Sequence, residues 1–232
     1  MANAYLFVLC PPFSGSTVLW KLLGTSPVVS SHSVEGQVVD GVKEIMRNDP
    51  WNPDKPMPWP EIKTKWERAW DMSKPILLEK SPPNIVRAFE LEQHFAPAHF
   101  IAMVRNPYAL CEGLQRRREM AVEMAASRWV VHATHQFNNI TKLKRIVHFT
   151  YEELSDTPAL IKEKILAFMP QLHDLDLTQS FEVHSVQGHG ARQLYNFNHE
   201  KIARLSAAEI HRINAVLQAH ERLMKFFGYQ YI

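Results

Sequence analysis

The chain opens on a continuous apolar run, Ala4 to Cys10, rich in strand-favouring residues and stopped by Pro11-Pro12. A run without polar alternation predicts a strand buried on both faces, as in a parallel sheet. Val18, Leu19, Leu22 and Leu23 then recur with helical spacing and Gly24 supplies a stop, so the opening reads strand, tight loop, helix. A second amphipathic stretch begins near Glu35, with Val38, Val39, Val42, Ile45 and Met46 on one face. Residues 50–60 carry five prolines with Trp51 and Trp59, an irregular and apolar excursion, and Ile62, Trp66 and Trp70 predict a short helix after it. Pro75–Glu79, His99–Val104 and Arg145–Phe149 are further strand candidates. Helical patterns separate them, the longest running from about Ala109 to Ile140. The last helix is the clearest: Ser206 to Glu209 is a capping box, Ile210, Ile213, Leu217, Met224 and Phe227 form its stripe, and Gly228 closes it. Residues 170–200 show little pattern and read as a long loop. Strands alternating with helices imply an α/β fold with a central parallel β-sheet flanked by helices. At 232 residues one domain spanning 1–232 is the expectation.

Composition changes this picture little. Apolar residues are 46% and charged residues 22%, ordinary for a globular enzyme, and the net charge of +2 gives no basic field suggesting a nucleic-acid partner. Cys10 and Cys111 are too few for a disulfide framework, which points to a reducing compartment. The first apolar run is too short for a signal segment or a membrane span, so a soluble, cytoplasmic protein is expected. Oligomeric state is left open.

In an open parallel sheet ligands bind at the carboxyl ends of the strands. The segments to inspect are therefore Pro12–Thr17, Glu79–Asn84, Arg105–Pro107 and Thr150–Glu153. The small-residue turn Ser14-Gly15-Ser16-Thr17 at a helix start can present N–H groups and the positive end of the helix dipole to a phosphate, although such turns also serve as plain N-caps. It lacks the Gly-Lys-Ser/Thr of a nucleoside-triphosphate loop, which disfavours a nucleotide kinase. Arg105 offers a permanently charged planar fork, and a structural ion pair is the competing use of it. Lys80 follows another strand and a turn would hold it near the sheet end. Glu35 sits where a helix dipole favours a carboxylate, by capping or as a base. His32 is the alternative base. His132 and His135 lie three apart without a carboxylate partner at ligand spacing, and no metal site is expected.

Five segments in order resemble the sulfotransferases that use 3′-phosphoadenosine-5′-phosphosulfate (PAPS). They are Pro12-Phe13-Ser14-Gly15-Ser16-Thr17, Leu78-Glu79-Lys80-Ser81-Pro82, Val104-Arg105-Asn106-Pro107, Phe149 to Leu154 and Met224 to Tyr229. The resemblance implies a P-loop NTPase-like sulfotransferase fold and transfer of a sulfuryl group from PAPS to a hydroxyl-bearing acceptor without an obligatory metal. It implies donor contacts from residues 12–17, Arg105 and position 113, with Glu35 as base and Lys80 stabilising the leaving group. Two positions depart from the family pattern: Phe13 stands where a Lys or Arg is usual, and Gly113 where a phosphate-binding Ser is usual. Arg116, Arg117 and Arg118 are candidates to compensate. A catalytically inert phosphoadenosine-binding protein is the alternative that these departures keep open. Trp51, Trp59, Trp66 and Trp70 are candidates for an acceptor wall, with helix packing equally able to explain Trp66 and Trp70. His189, Arg192 and Gln193 are candidates to close over the donor.

Overall fold

A computed structural model describes residues 3–176, 178–180 and 193–232. Five strands, β1 (Ala4–Leu9), β2 (Val29–Ser31), β3 (Ile76–Glu79), β4 (Ala98–Val104) and β5 (Ile146–Thr150), form one sheet in the order β2-β3-β1-β4-β5. Every pairing is parallel. The apolar runs read from the sequence are β1, β3, β4 and β5, each within a residue or two of its expected ends, whereas β2 is too short to show as such a run.

Alternation along β1 divides the interior, because successive side chains leave a strand on opposite faces. Leu6, Val8 and Cys10 pack with Leu19, Leu22 and Leu23 of α1 (Ser16–Leu23). Tyr5, Phe7 and Leu9 face the other way, onto Trp59, Ile62 and Trp66, and onto Leu91 and Phe95.

Between β2 and β3 the chain makes a 3-10 turn at Gly36–Val38, then α2 (Lys43–Met46) and α3 (Trp59–Ala69). The continuous helix expected from Glu35 is therefore broken. Asp40-Gly41 interrupts it, with Gly41 at φ 70°, a conformation a helix interior cannot hold. A further 3-10 stretch, Pro82–Arg87, leads into α4 (Ala88–His94).

The long helix expected over 109–140 is two, α5 (Pro107–Arg118) and α6 (Val122–Lys142). Glu119 at φ 52° ends the first, and the chain reverses so that Leu110 and Leu114 meet Ala125, Ala126 and Trp129. A single rod could not bury both stripes against each other. After β5 come α7 (Tyr151–Asp156), α8 (Pro158–Phe168), a 3-10 turn at Pro170–Leu172 and α9 (Asn198–Ile202). The stretch expected as loop thus carries short elements, and His189 and Arg192 lie outside the described residues.

The last helix keeps its capping box, Ser206 with Glu209, but divides into α10 (Ala207–Gln218) and α11 (Glu221–Phe226). The break turns Phe227 onto Trp129, edge to face at 6.4 Å. No helix among the described residues is long and apolar enough to cross a membrane.

The left-handed backbone at Glu119 costs about 1 kcal/mol for a residue with a Cβ. Glu119→Gly is expected to raise stability by about 0.5–1 kcal/mol, a rise of roughly 1–3 °C in thermal midpoint read by circular dichroism.

Candidate active site

The carboxyl ends of the parallel strands lie along one edge of the sheet and bring the inspected segments together. Beyond β1 the chain turns sharply: Phe13 has φ 67° and Gly15 φ 85°. A Cβ at Gly15 would lie 2.6 Å from the Tyr151 ring, so that position requires glycine for conformation and for space. Helix α1 starts at Ser16 with no side-chain cap and no acidic residue in its first turn. Its leading N–H groups and positive dipole end therefore remain for an outside anion. Pro12, Phe13, Gly15, Ser16 and Thr17 line a cavity of about 280 Å³. Ser14 does not; it is fully buried, with its hydroxyl lacking a partner among the described residues.

The opposite wall is fixed from β3. Glu79 is wholly buried and accepts hydrogen bonds from the Gly36 N–H at 2.9 Å, the Ser81 hydroxyl and the Asn84 amide. The Ser81 hydroxyl also accepts the Gln37 N–H at 2.9 Å, and the Trp66 indole donates to the Gly36 carbonyl at 3.0 Å. A Cβ at Gly36 would lie 2.3 Å from the Glu79 carboxylate. Gly36 is thus clamped on both backbone groups, and its neighbour Glu35 is held at the cavity. Burial pushes the Glu79 carboxyl up to about 7, against the opposing pull of its Ser81 and Gly36 donors.

Glu35 pairs with Lys80 through one oxygen and accepts from the Gln37 amide through the other. The Lys80 ammonium is almost fully buried and lies 5.4 Å from the Trp20 ring centroid. Lys80 does not reach the cavity wall; Glu35 stands in front of it.

Arg105, at the end of β4, points its guanidinium into the same cavity wall. Its Nε donates to Asn198 Oδ1 at 2.7 Å and its Nη1 to the Phe13 carbonyl at 3.1 Å, while Nη2 is buried without a partner among the described residues. The plane lies 3.9 Å from the Tyr151 ring centroid. Asn198 in turn donates to Glu152, which also accepts the Asn106 N–H and the Tyr229 hydroxyl, each at 2.9 Å. Three of the short segments singled out in the sequence therefore meet at one carboxylate, Glu152, behind Arg105.

The side chain that sequence reasoning missed is Lys201 of α9. Buried among the cavity-lining residues, its ammonium is 3.5 Å from the Ala109 carbonyl and 3.7 Å from Glu112. A Cβ at Gly113 would lie 2.9 Å from that nitrogen. Gly113 is not itself part of the cavity wall. Of the three arginines expected to compensate, Arg117 lines the cavity and Arg116 is paired with Glu112 at 2.6 Å. Only the fold could reveal Lys201, since α9 must first dock on α5.

The tryptophans do not wall the cavity. Trp59, Trp66 and Trp70 are core residues, and Trp51 stacks on His132 at 4.7 Å. His32 is buried against Trp70 at 4.4 Å, off the cavity, and burial lowers its pKa to about 4. Gln193 lines the cavity. No group of three or more His, Cys, Asp or Glu suited to a metal occurs among the described residues.

No protein-family model and no curated protein matches the chain. Solved structures do. The sulfotransferase domain from the curacin biosynthetic pathway matches with TM-score 0.60 at 18% identity, covering 100% of both chains. The sulfotransferase domain from the Synechococcus PCC 7002 olefin synthase gives 0.62 at 17%, over 99% of this chain and 96% of that one. Mouse sulfotransferase SULT7A1 complexed with PAP gives 0.56 at 13%, over 95% and 85%. The chain has the sulfotransferase fold.

Two outcomes follow from the Glu79 clamp. Gly36→Ala places a methyl into the carboxylate and is expected to cost about 2–4 kcal/mol in urea unfolding. Between the usual carboxylate pKa and about 7 the folded state retains a Glu79 proton that the unfolded chain releases, so this group withdraws stability as pH rises through that window. The unfolding free energy of the wild type relative to Glu79→Gln should therefore fall from pH 5 to pH 8. A flat difference would mean Glu79 stays ionised throughout.

Proposed function

We propose that this protein is a sulfotransferase that moves a sulfuryl group from PAPS to a hydroxyl acceptor, with Glu35 as the base. The observation that carries the reading is the sharing of one cavity by a carboxylate, an uncapped helix N-terminus and an arginine whose Nη2 has no partner among the described residues. The fold supports it, as does the PAP named with mouse SULT7A1.

On this reading the acceptor oxygen attacks sulfur as the bond from sulfur to the 5′-phosphate oxygen breaks. The acceptor proton passes to Glu35, and adenosine 3′,5′-bisphosphate leaves with the electron pair. The first-turn N–H groups of α1 hold the 5′-phosphate and the equatorial oxygens, where fixed dipoles stabilise developing charge without reorganisation. Pro12, Phe13, Gly15, Ser16 and Thr17 form that cradle, with Ser14 supporting the turn from below. Lys80 holds Glu35 in place through their ion pair, and its charge is released toward the leaving oxygens once Glu35 takes the proton. Arg105 holds the donor's other phosphate. No step calls on a metal.

Incubation with PAPS and pooled alcohols and phenols, with and without magnesium, tests the assignment. Transfer without metal is expected. Consumption of ATP in preference to PAPS would replace the reading with a nucleotide kinase, and binding of adenosine 3′,5′-bisphosphate without any transfer would leave an inert phosphoadenosine-binding protein.

Glu35→Gln is expected to lower turnover by roughly 10²- to 10⁴-fold while leaving affinity for adenosine 3′,5′-bisphosphate within about threefold. Near-normal turnover in that variant would remove Glu35 from the role of base.

A further inference from the structure

Besides Arg117, the cavity holds two cationic features on different elements. One is the α1 N-terminus, suited to a single phosphate. The other is formed by Arg105, with Nη2 unpartnered and buried, and Lys201, whose ammonium makes only long polar contacts among the described residues. We infer that Lys201 and Arg105 together form the seat for the donor's second phosphate, and that Gly113 is glycine so that the Lys201 ammonium can occupy the space beside it. This rests on the reading of the ligand as a phosphoadenosine.

The space argument is steric. Gly113 lies inside α5, where glycine costs about 1 kcal/mol relative to alanine. Nothing in its backbone angle requires glycine, since it is absent from the left-handed positions. What the missing Cβ leaves room for is the Lys201 nitrogen, at 2.9 Å, with the Phe13 ring next at 3.4 Å. Phe13 and Gly113, the two positions that depart from the family pattern, thus lie beside each other, and the Lys201 ammonium fills the space next to Gly113.

The charge argument is local. Glu112 is the carboxylate beside Lys201, and its Oε1 is already held by Arg116 at 2.6 Å and Arg204 at 3.1 Å. Only Oε2 faces Lys201, and at 3.7 Å it makes no hydrogen bond. Burial first, then Arg105, and after them Arg116 and Arg117 against the opposing pull of Glu112, together lower the Lys201 pKa to about 7. A buried lysine crowded by arginines and thinly supplied with carboxylate is short of negative charge. A phosphate bridging Lys201 and Arg105 Nη2 supplies it. If Lys201 were only a strut tying α9 to Glu112, its ammonium would sit within hydrogen-bonding distance of that carboxylate.

The experiment is calorimetric titration of the whole protein with adenosine 3′,5′-bisphosphate and with adenosine 5′-monophosphate, reading the ratio of the two affinities. The wild type is expected to prefer the bisphosphate. Lys201→Met should cut the ratio by about 10- to 100-fold, the worth of a buried charged hydrogen bond, with monophosphate affinity nearly unchanged. Gly113→Ala, which keeps every charge and displaces the ammonium, should cut it in the same direction and decides the matter if Lys201→Met does not fold. A ratio unchanged within twofold in Lys201→Met, or in Gly113→Ala where that variant decides, overturns the inference and leaves the sulfotransferase reading standing. A wild type that binds neither nucleotide overturns both. A wild type that prefers the bisphosphate through Lys201 but transfers no sulfuryl group overturns the enzymatic reading and leaves this seat intact.

Discussion

The candidate site depends on one buried carboxylate. Glu79 ends β3 without contact with water, and taking a carboxylate-sized charge out of water costs several kcal/mol unless donors surround it. It is met by a backbone N–H from Gly36, a hydroxyl from Ser81 and an amide from Asn84, drawn from either side of the strand end. Satisfying Glu79 therefore fixes the segment after β2 against the segment after β3. Trp66 closes the clamp from below by donating to the Gly36 carbonyl. Glu35 has no side-chain capping bond of its own to hold it; its place follows from Gly36. Asn84 Oδ1 has no partner among the described residues, so a flip of that amide lets the network accept a protonated Glu79 as well as an ionised one. The clamp is tolerant of protonation state and intolerant of any side chain at position 36.

How much of this could be read beforehand follows from range. Strands buried on both faces are continuous apolar runs, so β1, β3, β4 and β5 were legible, and with them the segments that converge at the sheet edge. The pairing of Arg105 with Glu152 and Tyr229 through Asn198 was visible only as separate short motifs; their reason for co-occurring is spatial. Helix ends were less legible, because Glu119 adopts a left-handed conformation that sequence assigns to glycine, and because the fold-back of α5 on α6 is set by packing. The spacing of Trp66 and Trp70 fitted core and acceptor wall equally, and burial decided for core. Lys201 carried no local signal at all. Its meaning depends on a glycine in another helix and on a ring in the first loop.

Phe13 and Gly113 appear as two losses when each is compared with a pattern, and as one rearrangement when they are placed in the fold. The Lys201 ammonium from α9 and the Phe13 ring from the first loop both pack against position 113 of α5. An aromatic ring at position 13, packed against the cluster formed by α5, α6 and α10, fills the volume of the displaced side chain and leaves the Phe13 carbonyl to orient Arg105. On the proposed reading, the charge has moved between elements while the site remains cationic.

The same economy bears on the Glu35–Lys80 pair. Two opposite charges in contact, one nearly sealed from water, attract by about 4 kcal/mol at an effective dielectric near 20. That attraction helps hold Glu35 in place at the cavity, which suits the proposed role of base. It also sequesters the Lys80 charge, which would otherwise hold the donor's oxygens equally before and after bond cleavage and so gain nothing in rate. On the proposed chemistry, proton transfer to Glu35 dissolves the pair at the stage when charge grows on the leaving phosphate. On the proposed chemistry, then, Lys80 need not line the cavity at rest. A cation released by the base as it accepts its proton is worth more in the transition state than in the ground state, which is the condition for catalysis rather than binding.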